Sequence, residues 1–285
     1  MKVPKTFHKK KAAIAMAQKT KQRIDKWRLN PKIRSEVLDP GFEIPDMIRV
    51  VEYDERLKHD LCKDAIAFSD KYKGVPVLTL LRRYAGELDL CFKKGAEDTV
   101  YYVNPVDRKE YICLDEYFDY LKTEKVTELD RIARNLGAKR VKIVVKEEKK
   151  IFARKEAGGK SKGKKAFGGK MGVHAGHEKK KTEFKDVAVE LDAEYAGSDT
   201  PQKPALKYYA DDTDVLNMIE ARMDEKNQLL SKMLLLKYNT SSLIKTELAV
   251  KIDAALKAMD LGGNFSIRNE VETENLRYLS YEIRF

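Results

Sequence analysis

Between Val141 and Tyr195 the chain alternates, breaks, and alternates again, and this stretch limits what the rest can fold into. Val141, Ile143 and Val145 alternate with Lys142, Val144 and Lys146. Further on, Val187, Val189, Leu191, Ala193 and Tyr195 alternate with Ala188, Glu190, Asp192 and Glu194. Successive side chains of a strand point to opposite faces, so each segment offers one apolar face and one largely charged face. The two are expected to be half-buried strands of one hairpin. Arg154 to Lys181 connects them, with seven glycines from Gly158 to Gly176. Glycine adds backbone freedom and little surface to bury, so this connection has little to offset its ordering entropy. It is expected to be mobile when nothing is bound.

Charge is the sharper signal. From Lys146 to Thr182 there are thirteen Lys or Arg and four Glu, a net of +9. Residues 1–35 hold twelve basic residues against Asp25 alone, a net of +11. The whole chain carries +11, which leaves −9 for everything else. General solubility does not require such segregation. Lysines on a glycine-rich backbone reach phosphates without fixed geometry, and aromatics can stack on bases. Phe152, Phe167, Met171, His174 and His177 are spaced among these charges. The anion contacts are assigned to Lys9, Lys10, Lys11, Lys160, Lys162, Lys164, Lys165, Lys179, Lys180 and Lys181. The plain alternative is a solvated insertion with no partner.

Familiar catalytic patterns are weak here. Gly159-Lys160-Ser161 matches the end of a phosphate-binding loop, but the motif needs its first glycine where this chain has Arg154. Gly163, Gly168 and Gly169 oppose a following helix, so no helix N-terminus gathers amides on a phosphate. Glu147-Glu148-Lys149 loosely suits half of a metal-dependent nuclease site, with Asp115 or Asp130 as the further acidic ligand. Acidic residues are so frequent that chance explains the match. His174 and His177 lack supporting ligands. Cys62, Cys91 and Cys113 have no CxxC spacing and sit in apolar contexts, as reduced core residues of a cytoplasmic protein do. No metal or cofactor is expected. The absence of GxGxxG, HExxH and GxSxG motifs favours a non-enzymatic role. No apolar run approaches the roughly 18 residues of a membrane-spanning helix, and the N-terminus lacks the apolar segment of a secretory signal.

Residues 2–11 form a lysine-rich tail, and Ala12 to Trp27 suits a basic amphipathic helix. Pro31, Pro40 and Pro45 mark a linker. Arg49 to Tyr53 is a short strand. Glu55 to Tyr72 suggests a helix through Leu57, Leu61, Ala65 and Phe68, and Val77 to Tyr84 a helix or buried strand. Val100 to Val103 suits a strand, with Asn104-Pro105 as turn chemistry. Leu114 to Leu136 suits a helix, broken near Thr123 to Thr127, that Gly137 stops. After a linker from Gly197 to Pro204, Asp212 or Thr213 caps a helix. Leu229 to Tyr238 is ambiguous. Ser241 or Ser242 starts a helix with Ile244, Leu248, Ile252, Ala255 and Met259 on one stripe, ending at Gly262-Gly263. A final hairpin sets Phe265, Ile267 and Val271 against Leu279, Tyr281, Ile283 and Phe285.

The expected fold is α+β. A basic tail and amphipathic helix (1–35) precede a mostly helical part (36–137). A mixed or antiparallel sheet with packed helices (138–285) follows, carrying the basic loop 154–181. The expected function is non-enzymatic binding of an anionic polymer, above all nucleic acid. An alternative from another class is a membrane-acting or self-assembling effector, pore-forming in manner, that lays the 141–195 hairpin on an anionic membrane surface. Its strands approach the roughly 9–11 residues that cross a bilayer in a barrel. That alternative brings homo-oligomerisation with it. A scaffold subunit of a larger complex is the third reading.

Overall fold

Continuous apolar runs and alternating ones sort the strands into two sheets. The structure is a computed structural model, and it describes residues 29–95, 97–148, 184–238, 244–261 and 266–285. The first sheet holds β1 (Pro31–Ile33), β2 (Met47–Val51), β3 (Ala65–Tyr72), β4 (Val75–Leu81), β5 (Cys91–Phe92), β6 (Val100–Asn104) and β7 (Asp107–Cys113). Their order is β1-β3-β4-β2-β6-β7-β5. The β2–β4 and β5–β7 pairs are parallel and the others antiparallel. Every residue of β6 is buried, and in β4 only Pro76 is exposed. These strands are therefore covered on both faces, which is what an unbroken apolar run requires. Lys73 and Gly74, both with positive φ, close the β3–β4 hairpin in the two-residue turn that suits its twist.

The second sheet holds β8 (Arg140–Glu148), β9 (Phe184–Glu194), β10 (Ser231–Lys237) and β11 (Arg277–Arg284), ordered β10-β11-β8-β9 and antiparallel throughout. The longer described helices are α1 (Tyr117–Asn135), α2 (Thr213–Met223), α3 (Thr246–Ala258) and α4 (Ile267–Glu274). Helix α1 touches both sheets. Its Tyr117 meets Tyr102 of β6 edge to face at 5.5 Å, while Tyr281 of β11 donates its hydroxyl hydrogen to the Leu129 carbonyl at 3.0 Å. One contiguous buried cluster runs through both sheets and these four helices.

Buried polar groups pin the connections. Arg222 of α2 donates to the carbonyls of Leu136, Ser198 and Leu229 at 3.1–3.2 Å. The Glu128 carboxylate accepts the backbone N–H groups of Lys207 and Tyr208. Gly137 ends the turn after α1 at φ +76°, where an added Cβ would sit 2.1 Å from the Ser198 carbonyl oxygen, so no other residue fits. Asp212 caps α2 by accepting from the Asp214 and Val215 amides.

The α+β class holds, but the region between residues 36 and 113 is built of strands and short turns. Glu55–Lys58 and Asp60–Cys62 are 3-10 turns, and Ala65 to Tyr72 is β3. The helical spacing of Leu57, Leu61, Ala65 and Phe68 is incidental. Ala65, Ile66, Ala67 and Phe68 are buried one after another, because the main core takes Ile66 and Ala67 while a smaller cluster of Cys62, Leu29 and Leu57 takes Ala65 and Phe68. Val77 to Tyr84 resolves into β4 and a 3-10 segment, Arg82–Glu87, and α1 runs unbroken through Thr123 to Thr127. The final hairpin is also corrected. Ile267 to Glu274 is helical because Ser266 caps it and the Asp253 carboxylate accepts from the Ile267 and Arg268 amides. β11 pairs instead with β8 and β10. Of the cysteines, Cys62 is a core residue, whereas Cys91 is exposed. The tail and helix of residues 2–27, Ser241 and Ser242, Gly262-Gly263 and the loop 154–181 lie outside the described residues.

Candidate nucleic-acid interface

All ten lysines assigned to anion binding lie outside the described residues. The structure does describe the surface from which the loop departs. β8 and β9 pair antiparallel as expected, but not with one continuous apolar face on β9; β8 ends at Glu148 opposite Phe184, so both ends of the loop leave one end of the second sheet. Bulges between Ile143 and Val144 and between Val145 and Lys146 shift the register twice. As a result Val187 and Val189 of the edge strand β9 lie exposed, while Leu191 and Tyr195 pack on the core.

The inner face of this sheet presents Val141, Ile143, Val145, Leu234, Leu236, Leu279, Tyr281 and Ile283, all buried. The opposite face carries the polar half of each alternation, arranged by register in rows. Arg284 stands against Arg140 and then Glu194. Met233, Glu282, Lys142 and Asp192 form the next row. Leu235, Ser280, Val144 and Val189 form the third, its ends exposed and its two central residues buried. Lys237, Tyr278, Lys146 and Asp186 form the fourth, next to the loop. Phe184 meets Tyr278 edge to face at 5.1 Å beside this last row.

The two central strands thus hold Arg140, Lys142, Lys146 and Arg284 with Glu282 among them, and the edge strand β9 adds Asp186, Asp192 and Glu194. Arg140, Lys142, Glu282 and Arg284 line a depression of about 220 Å³. Arg140 reaches Asp192 at 3.3 Å and Lys146 reaches Asp186 at 3.8 Å. Such exposed pairs contribute about 0–1 kcal/mol and exchange readily for a phosphate. Lys142 and Arg284 form no ion pair among the described residues. Arg140 to Lys146 spans about 20 Å at roughly 3.3 Å per residue. Basic residues thus lie on either side of the buried pair Ser280 and Val144, and an aromatic pair stands at the end nearest the loop.

Sequence reasoning missed these residues because it followed the apolar half of each alternation to the core. The signal was in the other half, Arg140, Lys142 and Lys146 at a period of two. Of the nuclease fragment, Lys149 lies outside the described residues, and two of its acidic residues already have partners. Asp130 accepts the Tyr195 hydroxyl and pairs with Arg134 at 3.1 Å, and Glu147 lies opposite Lys185 and Arg277 in the sheet. Among the described residues no group of three His, Cys, Asp or Glu is placed to hold a metal. No family model, no curated protein and no solved structure matches this chain.

Proposed function

We propose that this chain is a non-enzymatic binding protein that holds nucleic acid through residues 1–35 and the loop 154–181. The open face of the second sheet serves as its platform. The observation that carries this reading is the segregation of charge: two segments are strongly positive, while the remainder sums to −9. One of the two segments springs from the sheet end where Lys146, Tyr278 and Phe184 meet. Contacts of this kind are made mainly to phosphates, independent of sequence and strongly weakened by salt. Labelled DNA and RNA titrated across a salt series test it, with the intact chain beside one lacking residues 154–181. A steep fall with salt and a clear loss on deletion are expected. No binding of either nucleic acid at low salt would refute it.

Exposed Val187 and Val189 on an edge strand favour one other reading, a membrane-acting hairpin on anionic lipid. Its cost is that β8 must leave the core, where Val141 and Ile143 are fully buried. Among the described residues no helix is long and apolar enough to cross a membrane. Leakage of anionic liposomes on adding the chain, with no affinity for nucleic acid, would make this the better account.

A further inference from the structure

A second candidate site lies in the first sheet. A cavity of about 710 Å³ opens where the strand β2 and the β3–β4 turn meet α3. Ile44, Val75 and Leu248 form an apolar wall. Tyr102, Arg108, Asp46 and Lys251 supply its polar groups. The size suits a small molecule, and an apolar wall with few convergent polar groups is the usual build of such a site.

Tyr102 is the reason to assign a ligand. Its side chain is 2% exposed, and its ring is fixed by β6 and by contact with Tyr117. Its hydroxyl donates to no group among the described residues, and Tyr102 lines the cavity. Buried hydroxyls are normally hydrogen-bonded, and one beside a cavity calls for a partner there. Burial first, and the Asp46 carboxylate second, push this hydroxyl well above the usual phenol range, with Arg108 opposing. It therefore stays protonated and can donate a hydrogen bond. Arg108 already pairs with Asp46 at 2.7 Å. Lys251, on the exposed side of α3, forms no ion pair among the described residues.

We propose that this cavity binds a small monocarboxylate with an apolar body. Its carboxylate would take the Tyr102 hydroxyl and the Lys251 ammonium, and its body would lie on Ile44, Val75 and Leu248. A monoanion fits better than a phosphate dianion. Arg108 is neutralised by Asp46 and Glu43 stands at the rim, so Lys251 alone offers an unpaired positive charge among the residues that line the cavity.

Decanoate titrated into the full-length chain by calorimetry tests this, with decylammonium as the charge-reversed probe. One-to-one binding of decanoate is expected. Tyr102→Phe keeps the ring and its contact with Tyr117, and should weaken binding about tenfold, as loss of a hydrogen bond to a charged group does. Lys251→Gln, a surface change that leaves the fold intact, should weaken it severalfold. Deletion of residues 154–181 should leave decanoate binding unchanged while removing nucleic-acid binding. The proposal is overturned if decanoate gives no heat or if both point variants bind as the parent does. It is equally overturned if decylammonium binds as well as decanoate.

Discussion

The two sheets bury their strands in different ways. In the first, β4 and β6 are covered on both faces, and Leu78, Leu80 and Val103 have no exposed surface at all. In the second, one face packs on α1 and the other carries Arg140, Lys142, Lys146 and Arg284 outward. The difference assigns tasks. A strand enclosed on both sides contributes stability and little else, because no side chain is left to meet a partner. A strand enclosed mainly on one side keeps part of its other face for a partner, at the cost of a thinner share of the core. Both edges of the second sheet also show apolar side chains, Val189 at 60% and Met233 at 65% exposure, whereas the enclosed strands of the first show none.

The comparison breaks first on stability. Leu80→Ala removes a fully buried side chain from a strand enclosed on both sides and should cost about 2–5 kcal/mol. Val189→Ala, on the open face, should stay within about 0.5 kcal/mol. Urea denaturation of both variants measures the contrast. Similar losses at the two positions would mean that the open face is covered by another part of the chain.

The same difference decides what was legible in the sequence. The pairing of β8 with β9 was readable from alternation, which Arg140 to Lys146 and Val187 to Tyr195 show plainly. Only β8 is half-buried as expected, however; the bulges leave no residue of β9 buried. The stripes of α1 and α3 were readable for the matching reason at 3.6 residues per turn, and Ile244, Ile252, Ala255 and Met259 are all buried. A strand buried on both faces has no period to show. Ala65 to Phe68 therefore passed as the end of a helix begun by Leu57 and Leu61, and Val77 to Leu81 stayed ambiguous until its pairing partners were known. The turn of Ile267 to Glu274 into a helix depends on Asp253, which lies on another helix and is invisible to local pattern. Of the interface, the excess of charge was readable, but the four cations on β8 and β11 become one surface only through strand pairing.

A smaller effect concerns the helical layer between the sheets. Lys125 of α1 is buried and donates to the Tyr238 carbonyl at 2.5 Å, beyond the end of β10. Burial pushes its ammonium down to about 8, with Glu274 of α4 opposing. Burial likewise pushes Glu274 up to about 7, with Lys125 and Arg277 opposing. A raised carboxyl gives stability that is complete below its unfolded value of 4.5 and lost as pH climbs through about 7. A depressed ammonium gives stability that is present above 10.5 and lost as pH falls through about 8. The two losses overlap between pH 7 and 8. Glu274→Gln should therefore gain on the parent by roughly 1–3 kcal/mol between pH 5 and 7.5. Denaturation of both proteins at the two pH values checks it. A constant difference between them would show that Glu274 stays ionised in the fold, bound by the cations around it.

The smallest stability effect bears on the proposed role of the open face. Arg284 and Arg140 are directly opposite on neighbouring strands. Like charges so placed destabilise a sheet by about 0.2–1 kcal/mol. Replacing both, Arg140→Gln with Arg284→Gln, should relieve that repulsion but lose the exposed Arg140–Asp192 pair, for a net change within about 1 kcal/mol in urea. The same change should lower affinity for nucleic acid and shrink the salt slope by roughly 1–2, about one unit for each phosphate no longer neutralised. A fold that keeps two repelling arginines on its surface forgoes stability there, and a bound anion between them removes the repulsion. If affinity and salt slope stay unchanged, the pair lies off the path of the nucleic acid. Binding would then rest on residues 1–35 and 154–181 alone, and the second sheet would resemble the first in serving only as scaffold.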